Sequence, residues 1–242
     1  MTAGPWSADA QHGGPPAALL DRGIEGLIRP GSTIGRFTMD LLGPIPLGML
    51  TVRADVVRPG RSVSLLHASL YDEGAGRHVA RAQAWTFPLT TDGPGPEQKP
   101  LPHTPADGHL EDPPTSWARG YLESVEWLWV EGAVTRPGPA VVWMRPRVRL
   151  VPGEEMTGLQ RLLTCIDSAS GASAALDPDE WAFMNTELTV HVLRPPTGEW
   201  ICLQAETILG PGSVGVAVST AYDERGLVAR SAQTLLVVER TR

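Results

Sequence analysis

The sequence predicts an α+β fold in which one plan, a helix followed by antiparallel strands, is laid down twice. Three observations carry this. Strand-like runs with alternating polarity and many β-branched residues follow two amphipathic helical stretches. Turn signals separate the runs, and 23 Pro with 26 Gly in 242 residues favour short strands over long bundles. Residues also recur at a fixed spacing: Thr38 and Thr189 stand 151 apart (189 − 38), as do Tyr71 and Tyr222 (222 − 71). An internal repeat of that length means duplicated domains.

In chain order, residues 15–28 read as a helix. Pro15 and Pro16 suit its first turn, Ala18, Leu19, Ile24, Leu27 and Ile28 give it an apolar face, and Arg29-Pro30-Gly31 stops it. Strands are expected around 34–43, 48–58, 62–72 and 77–88, bounded by Gly43-Pro44, Pro59-Gly60 and residues 72–76. Residues 89–118 form a linker between a repeat at 1–88 and one at 119–242, its prolines excluding regular structure. Strand-like runs at 121–131 and 139–151 precede a helix over 154–171, and four strands follow near 184–194, 199–209, 214–223 and 227–239.

The halves match in detail. Phe37 to Pro44 parallels Leu188 to Pro195, and Tyr71-Asp72-Glu73 parallels Tyr222-Asp223-Glu224. In the last hairpin the spacing drops by one, setting Gln83 over Gln233. The runs at 121–151 would map before Met1, so the first half lacks its leading hairpin or the chain has lost an N-terminal piece. The first half-sheet is therefore expected to be one or two strands shorter.

Composition narrows the partners. A net charge of −7, a pI near 5.4 and no Lys/Arg cluster argue against nucleic acid. Cys165 and Cys202 stand in apolar runs, the setting of reduced, buried thiols. The first residues have neither a basic region nor an apolar core, so no signal peptide is expected. No apolar stretch approaches the roughly 18 residues of a membrane span, which leaves a cytoplasmic location without a membrane partner as the expectation. The histidines and cysteines show no ligand spacing, so no metal is expected. Gly210 to Gly215 matches a dinucleotide fingerprint in letters only: it lies between strands, Pro211 blocks the phosphate turn, and it reads as a hairpin. No cofactor is implied. No Gly-x-Ser-x-Gly elbow marks a serine hydrolase.

One residue stands out on the second helix. Met156, Leu159, Leu162, Leu163 and Ile166 fall on one stripe, and Asp167 sits at its edge. A carboxylate half drawn into a core costs free energy unless partnered. The pattern alone fits either a polar residue ending a helix or a carboxylate held for chemistry.

His12 to Leu20, Gly153-Glu154-Glu155, Leu159 to Leu162, Asp167 to Gly171, Asn185 to Thr189, Arg194 to Trp200, and Tyr222 to Gly226 through Ala232-Gln233 resemble the acyl-CoA thioesterases related to bacterial thioesterase II. The resemblance spans nearly all the chain except the linker. It implies a double hotdog fold, hydrolysis of acyl-CoA or a related thioester, and room for a homo-oligomer of such protomers. It further implies a helix Asp, a Thr or Asn on the next strand and a Gln on the last strand, which activate and orient water. Asp167 and Gln233 match two of these. The third falls on Asn185, where better-known members have Thr, with Thr186 selected by a one-residue shift. His12-Gly13-Gly14 is expected to offer backbone N–H groups to the substrate oxyanion across the pseudo-dimer. The first-half position matching Asp167 is Pro16 (167 − 151), which implies one active site per chain. A hotdog acyl-thioester binding protein or a hydratase/dehydratase is the alternative. The latter wants an Asp–His pair, and no His follows Asp167 before His191.

Overall fold

The computed structural model describes residues 1–5, 7–90, 103–113, 117 and 120–240. A short hairpin, β1 (Ala3–Gly4) and β2 (Ser7–Gln11), leads into α1 (Gly14–Glu25). Then come β3 (Ser32–Leu41), β4 (Leu50–Arg58), β5 (Ser64–Asp72) and β6 (Arg77–Pro88). Of the expected linker, residues 91–102, 114–116 and 118 lie outside the described residues, as do Trp6, Arg119, Thr241 and Arg242. One 3₁₀ turn does form at Pro105–Asp107, held by a capping box between Thr104 and Asp107. The second half holds α2 (Gly120–Ser124), β7 (Val125–Ala133), β8 (Arg136–Pro146), α3 (Gly158–Ile166), α4 (Ala169–Ala172), β9 (Trp181–Asn185) and β10 (Glu187–Val192). It closes with β11 (Ile201–Leu209), β12 (Val214–Asp223) and β13 (Gly226–Glu239).

Eleven strands form one antiparallel sheet in the order β4-β5-β6-β3-β10-β13-β12-β11-β8-β7, with β9 pairing β13 off this path. Its centre is the β3–β10 ladder, where Thr38 pairs directly with Thr189. That pairing puts a pseudo-twofold axis through the two threonines. Thr51 pairs Tyr71 on one side, and Cys202 pairs Tyr222 on the other, 151 residues on. The first half contributes four strands to the sheet and the second seven, three more instead of the one or two expected: the β7–β8 hairpin beyond β11, and β9 on β13. Nor is the first half without a leading hairpin, since β1–β2 precedes α1 as a separate two-stranded sheet.

The register of the last hairpin corrects one reading. Leu70 pairs Ala80, and its counterpart Ala221 pairs Ala229, so the spacing falls to 149 there and Gln233 stands over Ala84, not Gln83. The β5–β6 turn, Glu73 to Gly76, carries two more residues than the β12–β13 turn, Glu224-Arg225.

Both helices lie against the sheet and each other: α1 contacts β4, β5 and β6, and α3 contacts β8 and β11. Ala17, Leu20 and Ile24 of α1 and Leu159, Leu162, Leu163 and Ile166 of α3 share one core with Phe37, Met39, Leu188 and Val190 of the central ladder. The crossing is close because Gly14 has no side chain; a Cβ there would lie 2.2 Å from the Thr164 carbonyl oxygen. Among the described residues, no helix is long and apolar enough to cross a membrane. Gly210 to Ser213 turns the chain from β11 into β12, closed by the Gly210 N–H to the Val214 carbonyl at 2.9 Å.

Candidate active site

The helix expected over 154–171 is broken, and the candidate residues gather at the break. Thr157 caps α3 through a box with Gln160, so the helix starts at Gly158. At its other end the chain tightens: the Ser168 N–H bonds the Cys165 carbonyl at 3.0 Å, three residues back instead of four. A short α4 then resumes at Ala169. Asp167 sits in this break, 4% exposed.

A break frees backbone groups that a continuous helix would pair. Gln233 on β13 bridges two of them. Its Nε2 donates to the Asp167 carbonyl at 3.1 Å, and its Oε1 accepts from the Ser170 N–H at 3.3 Å. These contacts fix the amide's orientation, so the same Nε2 also donates to Asp167 Oδ1 at 2.9 Å. Gln233 is fully buried.

Asn185 adds a second donor, Nδ2 to Asp167 Oδ1 at 2.8 Å. A β-bulge selects it over Thr186. Asn185 pairs Leu235 while Thr189 pairs Ala232, so four steps on β9–β10 oppose three on β13. Strict alternation back from buried Leu188 and Val190 would point Thr186 inward. The extra residue reverses that parity and turns Asn185 in, as bulges do beside functional sites. Thr186 is left exposed, with its hydroxyl donating to the Thr234 carbonyl at 3.3 Å. Glu187 fills the bulge, accepting from the Thr234 N–H at 2.7 Å.

Oδ2 of Asp167 faces the other half of the chain. A Cβ on Gly13 would lie 2.7 Å from it, so only glycine fits there without displacing the carboxylate. His12 Nδ1 approaches Oδ2 at 3.3 Å and also accepts from the Gly14 N–H at 3.1 Å. One nitrogen cannot donate to Asp167 and accept from Gly14 at once. Burial lowers the His12 pKa below the ordinary imidazole value, with the Asp167 carboxylate opposing. The ring is therefore neutral at pH 7, Nδ1 takes the Gly14 bond, and the proton resides on Nε2. Pro15 and Pro16 carry no N–H, so the turn's free donor is the Gly13 amide, which has no acceptor among the described residues. This corrects the argument that no His meets the Asp: His12 does, from the opposite end of the sequence.

These groups open into a cavity of about 470 Å³, within the range of small-molecule sites. His12, Gly13, Asp167, Ser168, Asn185 and Thr186 line its polar end. Ile45, Trp117, Tyr121, Leu122, Trp127, Trp129, Phe183 and Leu236 line much of the rest. Sequence reasoning missed Tyr121, which stacks on His12 with ring centroids 3.7 Å apart and planes 2° from parallel. Its signal was hidden in a run read as strand. The Ser168 hydroxyl pairs with that of Tyr121 at 2.8 Å.

Pro16 lies in the first turn of α1 and is not the counterpart of Asp167. Asp167 follows α3 and faces the N-terminus of α1. Glu25 ends α1 and faces the N-terminus of α3, accepting from Thr157 Oγ1 at 2.8 Å and Gln160 Nε2 at 2.6 Å.

Comparison with known proteins finds two family models that match the chain. The family model described as acyl-CoA thioesterase N-terminal domain matches residues 2–87, and the one for the C-terminal domain matches residues 96–237. No curated protein sequence matches the chain. Among solved structures, a conserved protein of unknown function with a hot dog fold from Alicyclobacillus acidocaldarius is 16% identical with a TM-score of 0.75, over 99% of this chain and 91% of that one. A putative thioesterase II from Thermobifida fusca YX is 18% identical with a TM-score of 0.74, over 95% and 87%. An acyl-CoA thioesterase II from Mycobacterium marinum is 15% identical with a TM-score of 0.70, over 95% and 90%. At these identities the likeness is one of fold: a hotdog-type antiparallel sheet with few helices.

Proposed function

Because the chain belongs to the acyl-CoA thioesterase family, we propose that it hydrolyses an acyl-CoA-type thioester to free acid and thiol, with water activated by Asp167. We read the architecture as a double hotdog, with repeats at 1–88 and 119–242 joined by 89–118 and one active site per chain. The observation that carries the mechanism is the division of labour on one carboxylate. Oδ1 is held by Asn185 and Gln233 at 2.8 and 2.9 Å, and Oδ2, with no donor from the neutral His12, borders a largely apolar cavity.

In this reading a water beside Oδ2 gives its proton to Asp167 as its oxygen bonds the thioester carbonyl carbon. Asn185 and Gln233 keep the carboxylate aimed without adding a competing charge. The carbonyl oxygen takes up negative charge and meets the Gly13 N–H at the head of α1. The intermediate collapses, the C–S bond breaks, and the thiolate recovers the proton from Asp167. No metal or cofactor enters. The protein would act in cytoplasmic acyl-CoA and lipid metabolism.

The test is thiol release from a panel of acyl-CoAs. Wild type is expected to turn over, and Asp167→Asn to lose roughly 10²–10⁴-fold in kcat. A silent wild type, or an equally active Asn variant, refutes the proposal.

One observation favours a second reading. The 3.3 Å approach of His12 to Asp167 is the acid–base pair that a hydratase/dehydratase needs. Incubation with a 3-hydroxyacyl-CoA separates the two: loss of water gives an absorbing enoyl thioester and no free thiol.

A further inference from the structure

We infer that Tyr121 is the positioning residue of this site, its hydroxyl holding the helix break that aims Asp167; the inference rests on Asp167 being the base. In an unbroken helix the Ser168 N–H would pair with the Thr164 carbonyl. Here it bonds Cys165 instead, and the Thr164 carbonyl is released from the ladder under the crossing with α1. A buried carbonyl without a donor is costly.

Tyr121 supplies the donor. Its O–H reaches the Thr164 carbonyl at 2.7 Å. Burial raises its pKa well above the ordinary phenol value, so the proton is present at any working pH. With that proton committed, the Ser168 hydroxyl donates to the phenol oxygen at 2.8 Å. Thr164 and Ser168 are the residues three before and one after Asp167. A single oxygen thus ties both sides of the break.

The ring makes the second connection. It lies flat on His12, next to the Gly13 that meets Asp167 Oδ2. Tyr121 belongs to neither helix of the crossing, yet it touches the α3 break and the turn before α1. It is itself fixed: fully buried, with Trp127 edge-on at 6.1 Å and its carbonyl accepting from the Ser124 hydroxyl at 2.7 Å. A residue that only walled the cavity would need no hydroxyl aimed at backbone. Loss of that hydroxyl therefore lets the carboxylate drift relative to its two amide donors while the cavity keeps its shape.

The variant is Tyr121→Phe, which keeps the ring and its stack. In acyl-CoA thiol-release assays kcat should fall roughly 10- to 100-fold, the scale of an ångström-sized misplacement, with KM unchanged. In an Asp167→Asn background the same change should cost nothing more, because there is no base left to aim. Val142→Ala, in the core on β8, serves as the comparison: it lowers the Tm and leaves kcat alone. Wild-type kcat in Tyr121→Phe, or an equal loss in both backgrounds, overturns the inference. A wild type that releases no thiol sinks the base reading and this with it, whereas an active wild type with an unaltered Phe variant sinks this alone. If Tyr121→Phe does not fold, Ser168→Ala removes the other half of the contact; a drop in kcat supports the inference and an unchanged kcat overturns it.

Discussion

Replacing Asp21 by alanine should stabilise the protein, and more so as the pH rises. Asp21 lies on α1, fully buried, with neither carboxyl oxygen hydrogen-bonded. Burial raises its pKa well above the ordinary carboxylate value, and the charge of Glu25 one turn on adds to this. An unpaired buried polar group costs about 1–3 kcal/mol. Alanine removes that cost and gains up to about 0.7 kcal/mol of helix propensity. Against this stands about 0.8 kcal/mol of packing for each methylene-sized volume lost. With about two such volumes lost with the carboxyl, the net gain is up to about 2 kcal/mol, or at most roughly 4–8 °C in Tm for a chain of this size. The sign of the pH effect follows from linkage. A group whose folded pKa is raised contributes stability that is whole below its unfolded value of about 3.9 and is lost as pH rises through the folded value. The variant has no such group, so its advantage widens from about pH 4 upward and then levels off. Glu25, also raised by burial, titrates in both proteins and cancels. Melting curves from pH 4 to 8 give the answer. An alanine variant that melts lower throughout, or a gap that does not change with pH, refutes the reasoning.

Gly13→Ala places a methyl 2.7 Å from Asp167 Oδ2, so kcat should fall sharply while the Tm changes little; unchanged turnover would show that the carboxylate does not depend on that approach. Asn185→Ala and Thr186→Ala, side by side, test the bulge: the first should lower kcat and the second leave it near wild type in thiol-release assays. Gln233→Ala should lose both activity and stability, about 1–3 kcal/mol in urea melts, because the Asp167 carbonyl and the Ser170 N–H lose their partner.

The strands were readable because their pattern is local. β4, β5, β6, β11 and β12 fall within two residues of the runs expected from alternation and turn residues. Thr38 and Thr189, whose spacing pointed to the repeat, meet in the central ladder, a pairing that the spacing alone did not give. What stayed hidden depends on pairings far apart in sequence. The bulge at Thr186 is set by the register between β13 and the β9–β10 pair, so Asn185 and Thr186 could not be separated beforehand. The break at Asp167 is stabilised by Gln233 and Tyr121, 66 and 46 residues away, and an amphipathic stripe runs through it unmarked. Tyr121 itself sits in one helical turn at the head of a strand-like run. His12 carried no visible signal as a side chain, since only folding brings it 3.3 Å from Asp167.

The same two helices present two carboxylates at related places, and the contrast between them supports the proposal that only Asp167 acts as a base. Asp167 faces a helix start made of Gly13 and Gly14, which have no side chains to fill the approach, so only His12 stands near Oδ2 and a cavity opens. Glu25 faces a helix start made of Thr157 and Gln160, and each of its oxygens already accepts from one of them. Those two donors also cap α3, so Glu25 is tied into the capping box that begins the helix carrying Asp167. Gly158 beside it is shut in by the Pro196 carbonyl, 2.1 Å from where a Cβ would stand. A carboxylate with both oxygens engaged and no space before it has nothing to deprotonate. One pole of the pseudo-twofold axis thus secures the start of α3, while the other leaves an oxygen open at its end.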